Sequence, residues 1–316
     1  MRPLAGLLVV DLTRYLPGPF ASRELLRLGA RVVRLESPAG DPLRETEPAW
    51  DALLNGGKES VACDLKAEPE LGRALCARAD VVLESFRPGI AARLGIGPDD
   101  LPERVVYCSI TGFGTEGPRA GWVGHDLNYV GYAGVLADTA PAVPPLPVAD
   151  LGGALTVVGR ILAALLERER TGRGARLAIS LTDVARELAP FGGPLTGRLA
   201  CYRIYRTADG GHLTVAALEP RFFARLCELA GRPELAARQR DADQEALAAE
   251  LEEVFAARPL AAWVELLEGE EACAGPVLPL DPPPPAAGAP AFGEHTDAWR
   301  RELQPGLGSP SAAGSP

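Results

Sequence analysis

The chain has 316 residues and a mass of 33.2 kDa, which exceeds the usual size of one domain and predicts a large core with a smaller one appended. Hydrophobic residues make up 47% of the chain and charged residues 23%, which is ordinary globular usage and excludes disorder of the whole chain. The net charge of −10 argues against nucleic-acid binding, and no run approaches the roughly 20 apolar residues that span a bilayer, so we expect a cytoplasmic protein that binds neither nucleic acid nor membrane.

The first third of the chain alternates predicted strands with predicted helices. Short runs rich in Val and Leu predict strands, and the segments between them carry apolar residues at helical spacing. The predicted strands are 7–13, 30–36, 60–65, 80–85 and 104–110, with helices at 20–29 and about 68–78. This alternation predicts an α/β fold with a doubly wound, Rossmann-like parallel sheet, whose ligands bind beyond the carboxyl ends of the strands.

The middle of the chain predicts one long apolar helix, from Leu151 to about Arg170, closed by Gly172. A Gly- and Pro-containing stretch over 190–198 then breaks the pattern and predicts a domain boundary. The predicted organisation is a large α/β domain over 1–195, a small α+β domain over 196–275 and a tail over 276–316 that is rich in Pro, Ala and Gly. We expect the tail to be extended or disordered apart from a short helix near Trp299.

The commonest catalytic motifs are missing from the sequence. It has no P-loop, no H-E-x-x-H pair, no G-x-S-x-G elbow and no dinucleotide fingerprint after the first strand. Its six cysteines contain no C-x-x-C pair, which predicts neither a zinc site nor a disulfide framework. The candidate residues must therefore be found one by one.

Two residues occupy positions from which they can carry chemistry. His125, one of three histidines, lies in a polar turn bounded by glycines, where it is either a base or a turn histidine satisfied by a backbone carbonyl. Asp150 directly precedes the helix predicted from Leu151, where an aspartate ordinarily caps free N–H groups. The residues alone leave both interpretations open.

Eight segments, spread in the family's order from Gly29 to Trp299, resemble the family III CoA-transferase superfamily of the CaiB/BaiF type, which also contains the alpha-methylacyl-CoA racemases. They are GARVVRLESPAGDPLR, LNGGKESVACDLK, ADVVLESFRPGIAARLGIGPDDL, VYCSITGFGTEGP, GHDLNYVGYAGVL, VADLGGAL, ERERTGRGARLAISLTDV and GEHTDAW. The histidine segment is most similar to the racemase branch, because typical transferases of the family lack that histidine and use the aspartate alone.

The resemblance implies a catalytic set of His125, Asp150 and Glu219. Inverting a carbon next to a thioester carbonyl needs two bases on opposite faces, which would be the histidine and the aspartate, with the glutamate supporting the imidazole. The implied reaction is racemisation or epimerisation of a (2-methyl)acyl-CoA, without a metal and without a cofactor beyond the CoA of the substrate. Backbone N–H groups around Gly152 would stabilise the enolate oxygen.

The resemblance also implies a CoA site and an assembly. CoA carries a 3′-phosphate and a diphosphate, so its site should be locally basic despite the acidic chain. Arg34, Lys58 and Arg87 match basic positions of the family's CoA site. Family members form interlocked dimers, which implies a homodimer here, with GEHTDAW returning to the large domain.

Two other functions stay open at this point. One is CoA transfer between carboxylic acids, with Asp150 forming an acyl anhydride and then an aspartyl-CoA thioester. The other is non-catalytic binding of acyl-CoA, because the stretch after Asp183 and the region after Cys273 are shorter than in typical family members. The acyl group cannot be identified from the sequence.

Overall fold

The computed structural model describes residues 1–281 and 288–303. The chain forms two compact units: the first contains Met1–Leu136, Pro141–Glu187 and the described residues 288–303, and the second contains Ala137–Ala140 and residues 188–281. The sequence pattern predicts the domain boundary near residue 195, whereas the main segment of the second unit begins at Leu188. The proline run 282–287 and the end of the tail, 304–316, were expected to be extended or disordered and lie outside the described residues.

Six parallel strands form the sheet of the first unit: β1 (Leu8–Leu12), β2 (Arg31–Glu36), β3 (Glu59–Ala62), β4 (Val81–Glu84), β5 (Val106–Thr111) and β6 (Arg176–Ser180). Their order is β3-β2-β1-β4-β5-β6. Val10 of β1 lies opposite Val33 of β2 and Val82 of β4, and all three are fully buried. The predicted doubly wound α/β sheet is confirmed, and its strand order reverses between β1 and β4, where such sheets bind ligands.

Helices cover both faces of this sheet. They are α1 (Pro17–Arg27), α2 (Leu43–Thr46), α3 (Pro48–Asn55), α4 (Pro69–Arg78), α5 (Ile90–Arg93), α6 (Asp126–Ala133), α7 (Val148–Thr171) and α8 (Leu181–Leu188). Val9 belongs to a core that includes residues of α1 and α7, and Val10 to one that includes residues of α4. Successive strand residues point to opposite faces, so burial on both explains the continuous apolar runs of the sequence.

Helix α7 begins at Val148, three residues before the predicted Leu151, and ends at Gly172 in the left-handed conformation at φ +72°. It is long and apolar enough to cross a membrane by length and composition alone. One stripe of it nevertheless lies in the core of the first unit, through Ala154, Val157 and Ile161. Burial of one apolar stripe is typical of a helix that packs in a protein core.

Among the helices of the first unit that the sequence pattern did not predict are α3 and α6. Helix α3 lies between the predicted strands 30–36 and 60–65; Pro48 occupies its first turn, and the helix buries Leu54. Helix α6 starts immediately after His125 and ends at Gly134, which adopts φ +86°. Glycines before and within α6 weaken its apolar periodicity, so the sequence predicted only a turn there.

The second unit contains the antiparallel strands β7 (Tyr202–Arg206), β8 (His212–Ala216) and β9 (Ala274–Pro276), with helices α9 (Pro220–Leu229), α10 (Gln244–Phe255) and α11 (Leu260–Leu267). An aromatic stack fills its core, with ring centroids 4.9 Å apart between Tyr205 and Phe255 and 5.1 Å apart between Phe255 and Trp263. The predicted α+β character of this part is confirmed.

The C-terminal segment ends in helix α12 (Thr296–Leu303), which packs against the first unit. Trp299 is 1% exposed, and its indole N–H donates to Glu59 at 2.6 Å. The Nδ1 atom of His295 accepts the backbone N–H of Ser60 at 3.2 Å, and Ser60 in turn accepts the N–H of His295 at 2.9 Å. The segment thereby covers the edge strand β3, which would otherwise present unpaired backbone groups.

Candidate active site

A cavity of about 570 Å³ opens beyond the carboxyl ends of β1, β4 and β5. The loop after β1 contributes Tyr15, the loop after β4 contributes Arg87, and α6 and α7 contribute His125 and Asp150. Three of the residues predicted from the sequence therefore line one cavity, at the edge of the sheet where the topology placed a site.

His125 occupies the residue before α6, and its exposed side chain lines the cavity. The side-chain oxygen of Asn128 accepts its backbone N–H at 3.1 Å, and the hydroxyl of Tyr129 donates to the carbonyl of Gly124. A Cβ atom at Gly112 would lie 2.3 Å from the Tyr129 ring, so only glycine fits beside that ring. The position of His125 is thus set by the backbone around the first turn of α6.

Asp150 is the third residue of α7, and its backbone N–H donates to the Asp126 carboxylate at 2.9 Å. Asp126, the first residue of α6, thereby satisfies a backbone N–H in the first turn of α7. Because α7 begins at Val148, with Pro147 at the capping position, Asp150 is not the residue that caps this helix. Its carboxyl group is therefore left for the cavity.

Burial raises the pKa of Asp150 from its ordinary 3.8 to about 7, and the negative charge of Asp126 adds to the increase. A carboxyl group with this pKa is about half ionised at neutral pH. It can therefore both accept and release a proton under the same conditions.

The role predicted for Gly152 as a backbone donor is corrected by the structure. Because α7 begins at Val148, Gly152 is the fifth residue of the helix and lies beyond the free N–H groups of its start. Even the N–H of Leu151, one residue earlier, already donates to the carbonyl of Pro147 at 3.0 Å.

Lys58 does not reach a surface where it could contact CoA, so this prediction is corrected. Its side chain is fully buried, and its ammonium donates to Ser22 at 2.7 Å and to Asn55 at 2.8 Å. It also pairs with Asp11 at 3.4 Å. Burial lowers the pKa of Lys58 to about 8, while the Asp11 charge acts in the opposite direction.

Arg34 is also occupied inside the protein. Its side chain is 2% exposed, and its nitrogens lie 3.0 Å from Asp41, 2.9 Å from Asp51 and 3.6 Å from Glu36. These contacts are ion pairs without hydrogen-bond geometry, since none of the three guanidinium nitrogens has an aligned acceptor in the described part of the chain. Its side chain nevertheless lines a cavity beyond the end of β2, so the predicted contact of Arg34 with CoA stays a prediction.

Arg87, by contrast, is exposed at the cavity that holds His125 and Asp150. A second cavity of about 460 Å³ lies beyond β1, β2 and β3, and Arg14 and Phe86 line both cavities. Exposed Arg14 and Lys66 supply the second cavity with basic groups, and Arg14 donates to Ser37 at 3.1 Å. Arg14 was not predicted from the sequence as a site residue, although it directly follows the first predicted strand.

Glu219 belongs to the second unit, where it is exposed and directly precedes α9. Its predicted support of the His125 imidazole therefore stays a prediction.

Tyr15 was not predicted as a site residue either, because nothing in the sequence indicates that it adopts φ +63° beside the cavity.

Comparisons with known proteins agree on one family. The family model described as CoA-transferase family III matches residues 4–282. The alpha-methylacyl-CoA racemase of Mus musculus is 34% identical over 306 residues, covering 88% of this chain and 78% of that protein. The acetyl-CoA:oxalate CoA-transferase of Acetobacter aceti is 32% identical over 315 residues, covering 87% of this chain and 81% of that protein. A crystal structure of Rv3272 from Mycobacterium tuberculosis matches with a TM-score of 0.80 and 29% identity, covering 95% of this chain and 99% of that one.

Proposed function

Because the chain belongs to CoA-transferase family III, whose matched relatives include both racemases and CoA-transferases, we propose that it is an acyl-CoA racemase or epimerase. It inverts the α-carbon of a (2-methyl)acyl-CoA thioester by two-base proton transfer. The observation that carries this proposal is that His125 and Asp150 line one cavity, where the pKa of the aspartate is raised to about 7.

In this mechanism, His125 removes the α-proton on one face of the substrate and protonated Asp150 delivers a proton to the other face. The reverse direction exchanges the two roles, so each group must serve as acid and as base near neutral pH. The raised pKa of Asp150 suits that requirement.

The enolate oxygen needs a hydrogen-bond donor other than the backbone N–H groups around Gly152. We assign this role to the side-chain amide of Asn128, which lines the cavity and whose oxygen already accepts the N–H of His125. Glu219 is proposed to hold the tautomer of the imidazole and to stabilise its charged form. Its exposed carboxyl group at the start of α9 is available for such a contact.

Arg87 and Arg14 are proposed to bind the phosphate groups of CoA, because both are exposed at the cavities beyond the strand ends. No electrons leave the substrate, so the proton transfers need no redox cofactor, and we propose that they also proceed without a metal. We further propose that the enzyme is an interlocked homodimer and that it works in the cytoplasm.

The second candidate is CoA transfer through Asp150, which the similarity to acetyl-CoA:oxalate CoA-transferase favours. The two reactions differ in what they do to Asp150. Transfer converts its carboxyl group into an anhydride and then a thioester, whereas racemisation leaves it free and exchanges the α-proton with solvent.

The deciding experiment incubates the protein with 2-methylacyl-CoA in D₂O without an acceptor acid. Deuterium at the α-carbon, together with inversion, is the expected result. In His125→Gln, inversion should disappear, whereas exchange of the enantiomer that Asp150 deprotonates should remain. His212→Gln is the matched control, because His212 is an exposed histidine of β8 in the second unit. A thioester on Asp150 detected by mass spectrometry, with CoA transfer to a separately added acceptor acid surviving in His125→Gln, would move the assignment to a transferase. CoA binding without either reaction would indicate a binding protein.

A further inference from the structure

Tyr15 adopts a backbone conformation that bulky residues rarely accept. Its φ is +63°, and Cys273 is the only other non-glycine residue with a positive φ in the described ranges 1–281 and 288–303. Aromatic residues in this region are steric outliers, and such outliers concentrate where neighbouring structure imposes them, often at functional sites.

The loop that carries Tyr15 is fixed on both sides. Before it, the carboxylate of Asp11 accepts the backbone N–H of Thr13 at 2.9 Å and its hydroxyl group. After it, Pro17 begins α1, and Gly18 packs so closely on Thr13 that a Cβ atom there would lie 2.0 Å from the threonine hydroxyl. These contacts fix the backbone on both sides of Tyr15, so the loop cannot change conformation to relieve the strain at this residue.

This constrained backbone places the Tyr15 ring against His125. The two ring centroids are 5.8 Å apart and the ring planes are nearly perpendicular, at 87°. Both side chains line the cavity that contains Asp150, and Tyr15 remains 45% exposed there. Edge-to-face contacts of this kind favour one orientation of the rings.

We propose that Tyr15 is a positioning residue for His125, whose ring fixes the plane of the imidazole so that one of its nitrogens faces the substrate α-carbon. The kinetic part of this inference rests on the proposed function, whereas the ring contact does not. A base that rotates away from its proton loses rate steeply, because small misplacements cost one to two orders of magnitude.

The contact is tested without any assumption about activity. The protein contains three histidines, so their imidazole resonances are few, and the His125→Gln variant assigns one of them. Tyr15→Gly should shift the His125 resonance, because the ring current of the tyrosine is lost, while Tyr15→Phe should leave it near its original position. An unchanged His125 resonance in Tyr15→Gly would overturn the proposal.

The positioning role is tested by measuring α-deuterium exchange separately for the two substrate enantiomers. Tyr15→Gly should slow exchange by about 10- to 100-fold for the enantiomer whose proton faces His125, with exchange through Asp150 changed by less than about twofold. Tyr15→Phe should behave like the wild type. Equal losses for both enantiomers, or a loss in Tyr15→Phe as large as in Tyr15→Gly, would refute positioning by the ring.

Misfolding is separable from these outcomes. Glycine adopts a positive φ without strain, so Tyr15→Gly should unfold within a few degrees of the wild type in a thermal melt. Tyr15→Asn is the second variant, because asparagine also tolerates this conformation but brings no ring. If the wild type exchanged neither enantiomer, the proposed function would fail, and the histidine resonances would still decide whether Tyr15 orients His125.

Discussion

Replacing Asp126 by asparagine removes a negative charge beside Asp150 and keeps the oxygen that accepts the Asp150 N–H. Burial is the largest cause of the increase in the pKa of Asp150 from 3.8 to about 7, and Asp126 is the second. Asp126 therefore accounts for less than half of a change of roughly three pH units. One pKa unit corresponds to about 1.4 kcal/mol, so the Asp126 charge contributes at most about 2 kcal/mol to the increase.

We therefore expect Asp126→Asn to lower the pKa of Asp150 by about one unit, with burial keeping it above its ordinary value. The assay is the pH dependence of kcat/KM for α-deuterium exchange of the enantiomer that Asp150 deprotonates. Asp150 must be ionised to act as a base, so the rate rises with pH through its pKa, and this rise should move to lower pH in the variant. Asp126→Ala, which also removes the cap of α7, separates the charge from the hydrogen bond.

An unshifted pH profile in Asp126→Asn, in a protein that binds CoA and unfolds like the wild type, would refute this reasoning. It would mean that the charge of Asp126 does not act on Asp150, or that exchange does not pass through Asp150. A shift to higher pH would contradict the sign of the interaction, since removing a negative neighbour can only make ionisation easier.

Arg87→Ala should weaken CoA binding in calorimetry by about 1.5 to 3 kcal/mol, the usual worth of a charge-assisted hydrogen bond, and unchanged affinity would remove Arg87 from the site. Lys58→Met should instead lower the free energy of unfolding by about 3 to 5 kcal/mol, because it leaves the buried Asp11 carboxylate without its cation; an undiminished stability in denaturant titrations would disprove this structural role. Sedimentation should show a dimer at micromolar concentration, and a folded monomer would speak against the interlocked assembly.

Sequence periodicity predicted the sheet because its determinants are local. The strands β1 and β4 are short, fully buried runs of Val and Leu, and helices of ordinary length separate the strands, which leaves a doubly wound parallel arrangement. The cavity beyond the strand ends follows from the same topology. The resemblance to the family then singled out His125, which follows β5, and Asp150, which lies in the first turn of the long helix α7.

Partners that come from distant parts of the chain could not be predicted. Arg34 lies within the buried strand β2, and its acidic neighbours Asp41 and Asp51 come from the following loop and helix. A sequence shows that a residue is basic but not that three carboxylates already neutralise it. The strain at Tyr15 was invisible for the same reason, since it arises from contacts that fix the loop on both sides.

The buried pair of Lys58 and Asp11 nevertheless affects the candidate site, through the loop after β1. Lys58 neutralises Asp11, and the Asp11 carboxylate holds Thr13, two residues before the strained Tyr15. The same loop carries Arg14, which lines both cavities. A basic residue such as Lys58 can therefore match a basic position of the family's CoA site because it supports the loop at the cavity, although it does not itself contact a phosphate. On this argument, Lys58 variants that still fold should alter the His125 environment together with CoA binding, whereas Arg87 variants should alter CoA binding alone.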